Sequence, residues 1–181
     1  MDLYEYYVMS SQVQLRFVMS SQATPSEKYD VTLGKLGARL DISRTENEAN
    51  VALVEHTLPP HTLAAPLHRH SREDEISYVL EGEMTVLADD ELTTIPAGES
   101  VVKGRDVWHT FWNAGDEPLR FLEIIAPGEF SEFFEEVSHI YPFDPANEDA
   151  LAHFEEICDR YAFEGDLESI PTLCEEHGLQ M

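Results

Sequence analysis

The sequence predicts an all-β barrel of two packed antiparallel sheets with an α-helical tail at its C-terminal end. Across residues 31–126 the chain is a series of short apolar or alternating runs separated by turn residues, which is typical of sandwiches and barrels. After Pro127-Gly128 the apolar residues take helical spacing instead. With 43% hydrophobic residues among 181, the chain has enough apolar material for a real core.

The chain divides into three predicted segments: an N-terminal extension at 1–27, a β-barrel at 28–127 and an acidic helical tail at 128–181. The extension carries little fold signal, and it repeats the string Val-Met-Ser-Ser-Gln at 8–12 and 18–22. This duplication is too short to be a structural repeat. We hypothesise that translation starts in the cell at Met9 or Met19, which mass spectrometry of the native N-terminus would test.

Eight runs in the barrel segment are predicted to be strands, and each is bounded by turn residues such as Pro59-Pro60, Glu81-Gly82 or Asp89-Asp90. The predicted strands are 38–43, 51–58, 75–80, 83–88, 91–95, 100–102, 107–112 and 119–125.

The tail is predicted to form amphipathic helices that pack one apolar face on the barrel. The residues that share a face are Phe130, Phe133, Phe134 and Val137 in one helix, and Leu151, Phe154, Ile157, Cys158 and Tyr161 in the next. The strings Asp144-Pro145 and Asn147-Glu148-Asp149 supply an N-cap and early acids for the second helix, and these acids complement the helix dipole.

The charge balance excludes several classes of partner. With 11 Lys and Arg against 36 Asp and Glu, the net charge is −25, which repels nucleic-acid phosphates and anionic lipid surfaces. No run approaches the ~20 apolar residues that cross a bilayer, and the two cysteines, Cys158 and Cys174, suit free thiols of a reducing compartment. We therefore expect a cytoplasmic protein. The dispersed acids fit adaptation to high salt, and a partner with a basic surface is the other interpretation.

Three histidines and a carboxylate carry the chemistry. Alternate side chains of a strand point the same way, so His68 and His70 lie on one side of an extended segment. A four-residue turn then brings Glu75 back toward them, and His109 can join from an adjacent strand. Neutral imidazoles and one carboxylate bind divalent first-row ions and leave coordination positions open. Phe111 has the parity of His109 and is expected to form an apolar pocket wall.

These residues resemble the two motifs of the cupin superfamily, G-x5-H-x-H-x3–4-E-x6-G and G-x5-P-x-G-x2-H-x3-N. The first matches from His68 to Gly82, with Thr62 in place of its opening glycine, and the second matches at Gly98, His109 and Asn113. Gly104 and Asp106 replace the proline and glycine of the second motif, which affects a turn and not a ligand. The resemblance spans about residues 35–127, and the tail looks like that of small cupins similar to quercetin 2,3-dioxygenase.

The resemblance implies a double-stranded β-helix, or jelly-roll barrel, that works as a homodimer. It also implies that His68, His70, Glu75 and His109 hold a divalent metal such as Fe, Mn, Ni, Co or Zn. Glu75 would in addition accept a proton from a substrate hydroxyl.

Several neighbouring residues have a more ordinary expected role. His56 and His61 flank Pro59-Pro60 and are expected to be loop or surface histidines, although either could line the pocket mouth. Trp108 and Trp112 have the opposite parity to His109, so they are expected to point outward, under the tail or into a dimer interface.

Two rare cations, Lys103 and Arg105, lie near the expected site. In so acidic a chain they are expected to form ion pairs, with a contact to a substrate carboxylate as the alternative.

Three functions stay open from the sequence. The first is a metal-dependent dioxygenase-like oxidoreductase acting on a small chelating phenol, enediol or diketone, with metal-assisted isomerisation or hydrolysis as variants. The second is a non-catalytic metal- or small-molecule-binding or sensing module, because the fold does not fix the function. A storage or scaffold protein is the third.

Overall fold

The structure is a computed structural model that describes residues 30–142 and 146–181. The predicted extension at 1–27, with its hypothetical start sites, and the dipeptide Asp144-Pro145 lie outside the described residues. None of the helices within these two ranges is long and apolar enough to cross a membrane.

Twelve strands and three α-helices make up the described chain, together with two short 3-10 helices. The strands are β1 (Asp30–Leu33), β2 (Leu36–Ile42), β3 (Ala52–Leu58), β4 (Thr62–Leu63), β5 (Leu67–His70), β6 (Asp74–Glu81), β7 (Glu83–Ala88), β8 (Glu91–Pro96), β9 (Ser100–Lys103), β10 (His109–Asn113), β11 (Leu119–Ala126) and β12 (Phe163–Asp166). The helices are α1 (Ser131–Ser138), α2 (Glu148–Tyr161) and α3 (Ser169–His177). All eight predicted strands are present, with ends that differ from the predicted ones by at most two residues.

Two antiparallel sheets form the barrel, as the sequence predicts. One sheet has the order β1-β2-β3-β11-β6-β9, and the other has the order β12-β5-β10-β7-β8, with β4 paired to β10. Burial alternates along the central strands because one face of each sheet meets the core and the other meets water; in β11 the pattern is strict from Leu119 to Ala126. The inward-facing side chains of the two sheets meet in the interior between them.

The tail packs on the barrel through the predicted apolar faces. Phe133, Phe134 and Val137 of α1 are buried in one core cluster with Ile157 and Tyr161 of α2. Asn147 caps α2, since its side chain accepts hydrogen bonds from two backbone amides of the first turn. Buried apolar area of this kind contributes about 25 cal/mol per Å², so the tail is held mainly by its aromatic face.

The tail is not wholly helical. Residues Phe163–Asp166 form β12, which pairs with β5 and places Phe163 opposite His70 and Gly165 opposite His68. The string Phe-Glu-Gly-Asp has only one apolar side chain, so no alternation marks it as a strand in the sequence. Its conformation comes from tertiary pairing and from the ion pair between Arg69 and Glu164.

Trp112 points outward and lies under the tail, as predicted. It is 1% exposed and packs against Leu63 and Leu173, and its ring stacks on His177 with centroids 4.5 Å apart. Trp108 is half-buried, and the guanidinium of Arg69 lies 4.9 Å from its ring centroid. Trp112 therefore joins the barrel to the tail, whereas the contact of Trp108 lies within the barrel, on β5.

Candidate metal centre

Neighbouring strands bring the four predicted residues together. His68 and His70 lie on β5, Glu75 lies on β6, and His109 begins β10 directly opposite His68. One nitrogen or oxygen atom from each side chain lies within 4.8 Å of those of the other three, and all four residues are buried. The strand parity that predicts this grouping from the sequence is therefore present in the fold.

The histidine rings are oriented by contacts at their Nδ1 atoms. His68 Nδ1 lies 2.8 Å from the carbonyl oxygen of Pro66, and His109 Nδ1 lies 2.9 Å from that of Val107. A carbonyl oxygen only accepts, so both Nδ1 atoms carry the proton and donate, which leaves each Nε2 with a free lone pair. Burial lowers the pKa of both rings, and a neutral imidazole is the form that binds metal.

Two of the Nε2 atoms have no partner in the described structure. Those of His70 and His109 are buried and make no hydrogen bond within residues 30–142 and 146–181. Buried polar atoms are nearly always satisfied, and an unsatisfied one costs about 1–3 kcal/mol. Both atoms face the Glu75 carboxylate, 3.6 Å and 3.8 Å from its Oε2. A divalent ion would satisfy all of them at once, so the residues fit a metal.

Glu73 is a residue that the sequence reasoning did not assign to the site. Its Oε1 lies 3.0 Å from Nδ1 of His70, and both side chains are almost fully buried. The two atoms make no hydrogen bond within the described residues, but a carboxylate this close to the ring is placed to orient the imidazole and to make it a stronger donor to a metal. In the sequence Glu73 is hidden within the acidic run from Glu73 to Glu75.

Replacing Glu73 with glutamine is expected to weaken metal binding by roughly 10- to 100-fold, because the charge that orients His70 is lost. Competition with a chromogenic chelator measures the metal dissociation constant. The matched control is Glu83→Gln, the same change at an exposed position of β7, which should leave the constant unchanged. Equal affinity for the Glu73→Gln variant and the parent would show that Glu73 does not support the ligand.

Lys103 joins the site to a second buried carboxylate. Its Nζ lies 3.0 Å from Oε2 of Glu75 and donates a 2.9 Å hydrogen bond to Oε2 of Glu123. Ser77 donates to the other oxygen of Glu123, at 3.0 Å. The expected ion pair of Lys103 is thus confirmed, and it is fully enclosed. Arg105 pairs with Asp74 at the surface.

The two carboxylates that contact Lys103, those of Glu75 and Glu123, differ in their pKa values. Burial opposes charge on Glu75, but Lys103 and the neighbouring histidines outweigh it and hold its pKa well below the usual range. Glu123 is dominated by burial, which raises its pKa to about 7. Burial also disfavours the charge of Lys103, yet the two carboxylates raise its pKa overall. Near neutral pH, one firmly ionised acid and one titrating acid therefore share the lysine.

The free energy of unfolding of the metal-free protein should carry the signature of Glu123. Its pKa is raised from 4.5 to about 7 on folding, so its contribution is fully present below pH 4.5 and is lost as the pH rises through 7, by roughly 2–3 kcal/mol. The lowered pKa values of buried His56, His68 and His109 raise the stability over the same window, so the contribution of Glu123 is obtained as the difference between the parent and the Glu123→Gln variant. Urea unfolding at constant salt from pH 5 to pH 8 should show this difference falling, and a constant difference would contradict the assignment.

An apolar cavity of about 130 Å³ opens beside the cluster. His68, Glu75, Glu123 and His56 line it, and the remaining wall is apolar, with seven aromatic residues among fifteen. Phe111 is part of that wall and is 5% exposed. A second depression, of about 350 Å³, contains none of the four cluster residues and is lined by Leu67, Leu87, Asp89, Asp90, Trp108 and Asp166.

His56 corrects the expectation of a loop or surface histidine. It lies inside β3, is 1% exposed and lines the cavity. The strand continues to Leu58, so alternation carries His56 inward together with Val54, and Pro59-Pro60 bends the chain only afterwards. Burial lowers its pKa to about 4, so the ring is neutral. His61 does lie at the surface, 3.0 Å from Asp116.

The turn before His109 tolerates the departures from the second motif. Asp106 has φ 62°, a left-handed conformation that aspartate adopts more readily than most residues. Its amide donates to the His70 carbonyl at 2.7 Å, and the amide of Val107 donates to the carbonyl of Gly104. The turn thus ties β10 to β5, and His109 reaches the cluster.

Comparison with known proteins identifies the domain. Residues 54–125 match the family described as Cupin domain. These residues form a cupin domain. The matched span contains all four cluster residues of the cupin domain, and β12 and the three helices lie outside it. No curated protein matches the sequence.

Solved structures with similar folds have several described activities. A sugar phosphate isomerase of Silicibacter pomeroyi is 20% identical, with a TM-score of 0.46, over 51% of this chain and 60% of its own. A predicted oxalate decarboxylase of Thermotoga maritima is 26% identical, with a TM-score of 0.47, over 50% and 78%. An uncharacterised double-stranded β-helix protein of Klebsiella pneumoniae is 20% identical, with a TM-score of 0.49, over 65% and 93%. None of these three is described as a dioxygenase, so the likeness to quercetin 2,3-dioxygenase stays a prediction.

Proposed function

We propose that this cupin binds one divalent first-row metal ion through His68, His70, Glu75 and His109 and acts as a dioxygenase-like oxidoreductase. The substrate would be a small chelating phenol, enediol or diketone. The observation that carries the metal proposal is the convergence of unpartnered, buried Nε2 atoms on a carboxylate. The apolar cavity beside them supports a small organic ligand.

When bound, a divalent ion supplies Lewis-acid or redox chemistry at its open positions. Residues of the chain orient the ligands, accept a proton and exclude water. Pro66 and Val107 carbonyls hold two imidazoles in the required tautomer, and Glu75 stands ready to take the proton of a chelating hydroxyl. The aromatic wall keeps bulk water away from the reacting atoms.

A second candidate, a non-catalytic binding or sensing module, is favoured by one observation. Lys103 holds the Glu75 carboxylate at 3.0 Å and lowers its pKa, which makes Glu75 a weak base. A weak base suits a metal ligand better than a proton acceptor. In that case the domain would bind its ligand without turning it over.

Two measurements separate these candidates. Elemental analysis of protein purified in high salt without chelators gives moles of metal per chain, and about one Fe, Mn, Ni, Co or Zn is expected. Oxygen uptake is then recorded with catechol, a reductone and pentane-2,4-dione. Uptake that depends on metal supports the oxidoreductase, and binding without uptake at every metal supports the module. No metal after reconstitution with each ion would refute both metal proposals.

A further inference from the structure

The size of the cavity limits its ligand. The cavity has a volume of about 130 Å³, whereas pockets for drug-sized molecules have volumes of roughly 300–1,000 Å³. An apolar cavity of roughly 150 Å³ in another protein is known to hold one benzene molecule. By this comparison the cavity has room for one six-membered ring and its substituents, and a molecule of three fused or linked rings is too large.

The wall favours a planar ring. Phe130 and Phe163 lie nearly parallel, with 10° between their planes, and Phe133 stacks on both, with centroids 4.8 Å and 5.1 Å away. Phe111 forms another part of the wall, and Nζ of Lys103 lies 4.7 Å from the centroid of its ring. Aromatic side chains pack against an aromatic ligand by offset stacking or by edge-to-face contact.

The polar groups of the cavity lie close together. His68 and Glu75 mark the metal end, and Glu123 also lines the cavity. Because both carboxylates contact the same Lys103 Nζ, they are separated by little more than the width of a ring. Lys103 and Ser77 each use one lone pair of Glu123, and a carboxyl group has capacity for more. A hydroxyl group, which donates and accepts, can use that capacity.

We propose that the cavity binds a single-ring aromatic compound that chelates the metal through two adjacent oxygens and directs a further ring hydroxyl to Glu123. The inference rests on the proposed metal site and adds the size of the substrate and the residue that selects it. Glu123 thereby acts as a specificity-determining residue outside the metal-binding set.

The test uses the full chain loaded with Zn(II), which has no redox chemistry and allows binding without turnover. Calorimetry compares catechol, 1,2,3- and 1,2,4-benzenetriol and the three-ring flavonol quercetin. Catechol and the triols should bind, quercetin should bind at least about tenfold more weakly, and one triol should exceed catechol by about tenfold. Equal affinity for quercetin and catechol would overturn the single-ring limit.

Variants assign the contacts. In Glu123→Met the triol should lose its advantage over catechol, and in Glu123→Gln, which keeps a neutral hydrogen bond, it should keep part of it. Phe133→Ala should admit 2,3-dihydroxynaphthalene, which the parent excludes, whereas Leu92→Ala, at an exposed position, should not. A triol advantage that survives in Glu123→Met would refute the role of Glu123.

Measuring the zinc content of each variant distinguishes a failure of this inference from a failure of the proposed function. Each variant should retain the parent's zinc per chain, since Glu123 and Phe133 are not ligands. Loss of oxygen uptake with intact ring selectivity would refute only the oxidoreductase. If no metal binds at all, saturation-transfer NMR with phenol and 2-naphthol still tests the size limit on the metal-free chain: binding of phenol alone supports it, and binding of both overturns it.

Discussion

Replacing His70 with alanine is expected to reduce the metal content from about one ion per chain to a small fraction of that, while the barrel stays folded. The variant loses one of three imidazoles, and loss even of a group that only supports a ligand weakens binding by roughly 10- to 100-fold. The fold should survive because the metal-free parent already buries an unpartnered Nε2 at this position. Removing that atom offsets part of the cost of the new cavity, which is about 2–4 kcal/mol. Elemental analysis and chemical unfolding measure the two effects.

His56→Ala is the matched control for this experiment. His56 is as buried as His70, at 1% against 2% exposure, and it also lies on an inner strand face. It is not among the four clustered residues, so its removal should leave the metal content unchanged, at a larger cost in stability because its Nδ1 lies 3.0 Å from the Gly37 carbonyl oxygen. Full metal content in His70→Ala, or equal losses in both variants, would refute the ligand assignment.

Replacing Lys103 with methionine is expected to lower the free energy of unfolding of the metal-free protein by about 3–5 kcal/mol. Lys103 is wholly enclosed, and its ammonium group contacts both Glu75 and Glu123. Without it, two carboxylates face each other in an apolar interior. The loss should be largest at pH 8, where Glu123 is ionised in the parent, and smaller at pH 5.5, below its pKa of about 7. Urea unfolding at the two pH values measures it.

Two further variants make this result specific. Lys35→Met removes a lysine from the turn between β1 and β2 and should change stability by less than about 0.5 kcal/mol. The double variant of Lys103→Met with Glu123→Gln should recover part of the loss, since only one uncompensated carboxylate remains. A loss of stability below about 1 kcal/mol at pH 8 in Lys103→Met would show that the buried ion pairs do not hold β6, β9 and β11 together.

The sequence was sufficient to predict what depends on local pattern. Alternation places His68 and His70 on one face, and turn residues mark eight of the twelve strands. Glu123 was also readable in principle, because it shares the inward parity of Phe121 and Ile125. What the sequence does not reveal is which inward residues meet. Lys103 contacts Glu123 only because β6 lies between β9 and β11, and that order is a property of the whole sheet.

β12 is a second feature that the local sequence pattern does not predict. Its four residues have no strand pattern, and they become a strand because β5 offers them an edge. His56 was misplaced for a simpler reason, since the two prolines that follow it suggested a loop that begins too early. For β12, a contact distant in sequence determined a conformation that local preference left undecided.

The pairing of β12 with β5 also sets an order of events during synthesis. The strand that bears His68 and His70 leaves the ribosome about ninety residues before its neighbour Phe163–Asp166, which at 5–20 residues per second is a delay of roughly 5–20 seconds. Throughout that interval the edge of β5 that pairs with β12 is unpaired, and the imidazoles of β5 are accessible to water and to ions. Residues 163–166 therefore cover an unpaired strand edge, of the kind that promotes aggregation, only after this delay.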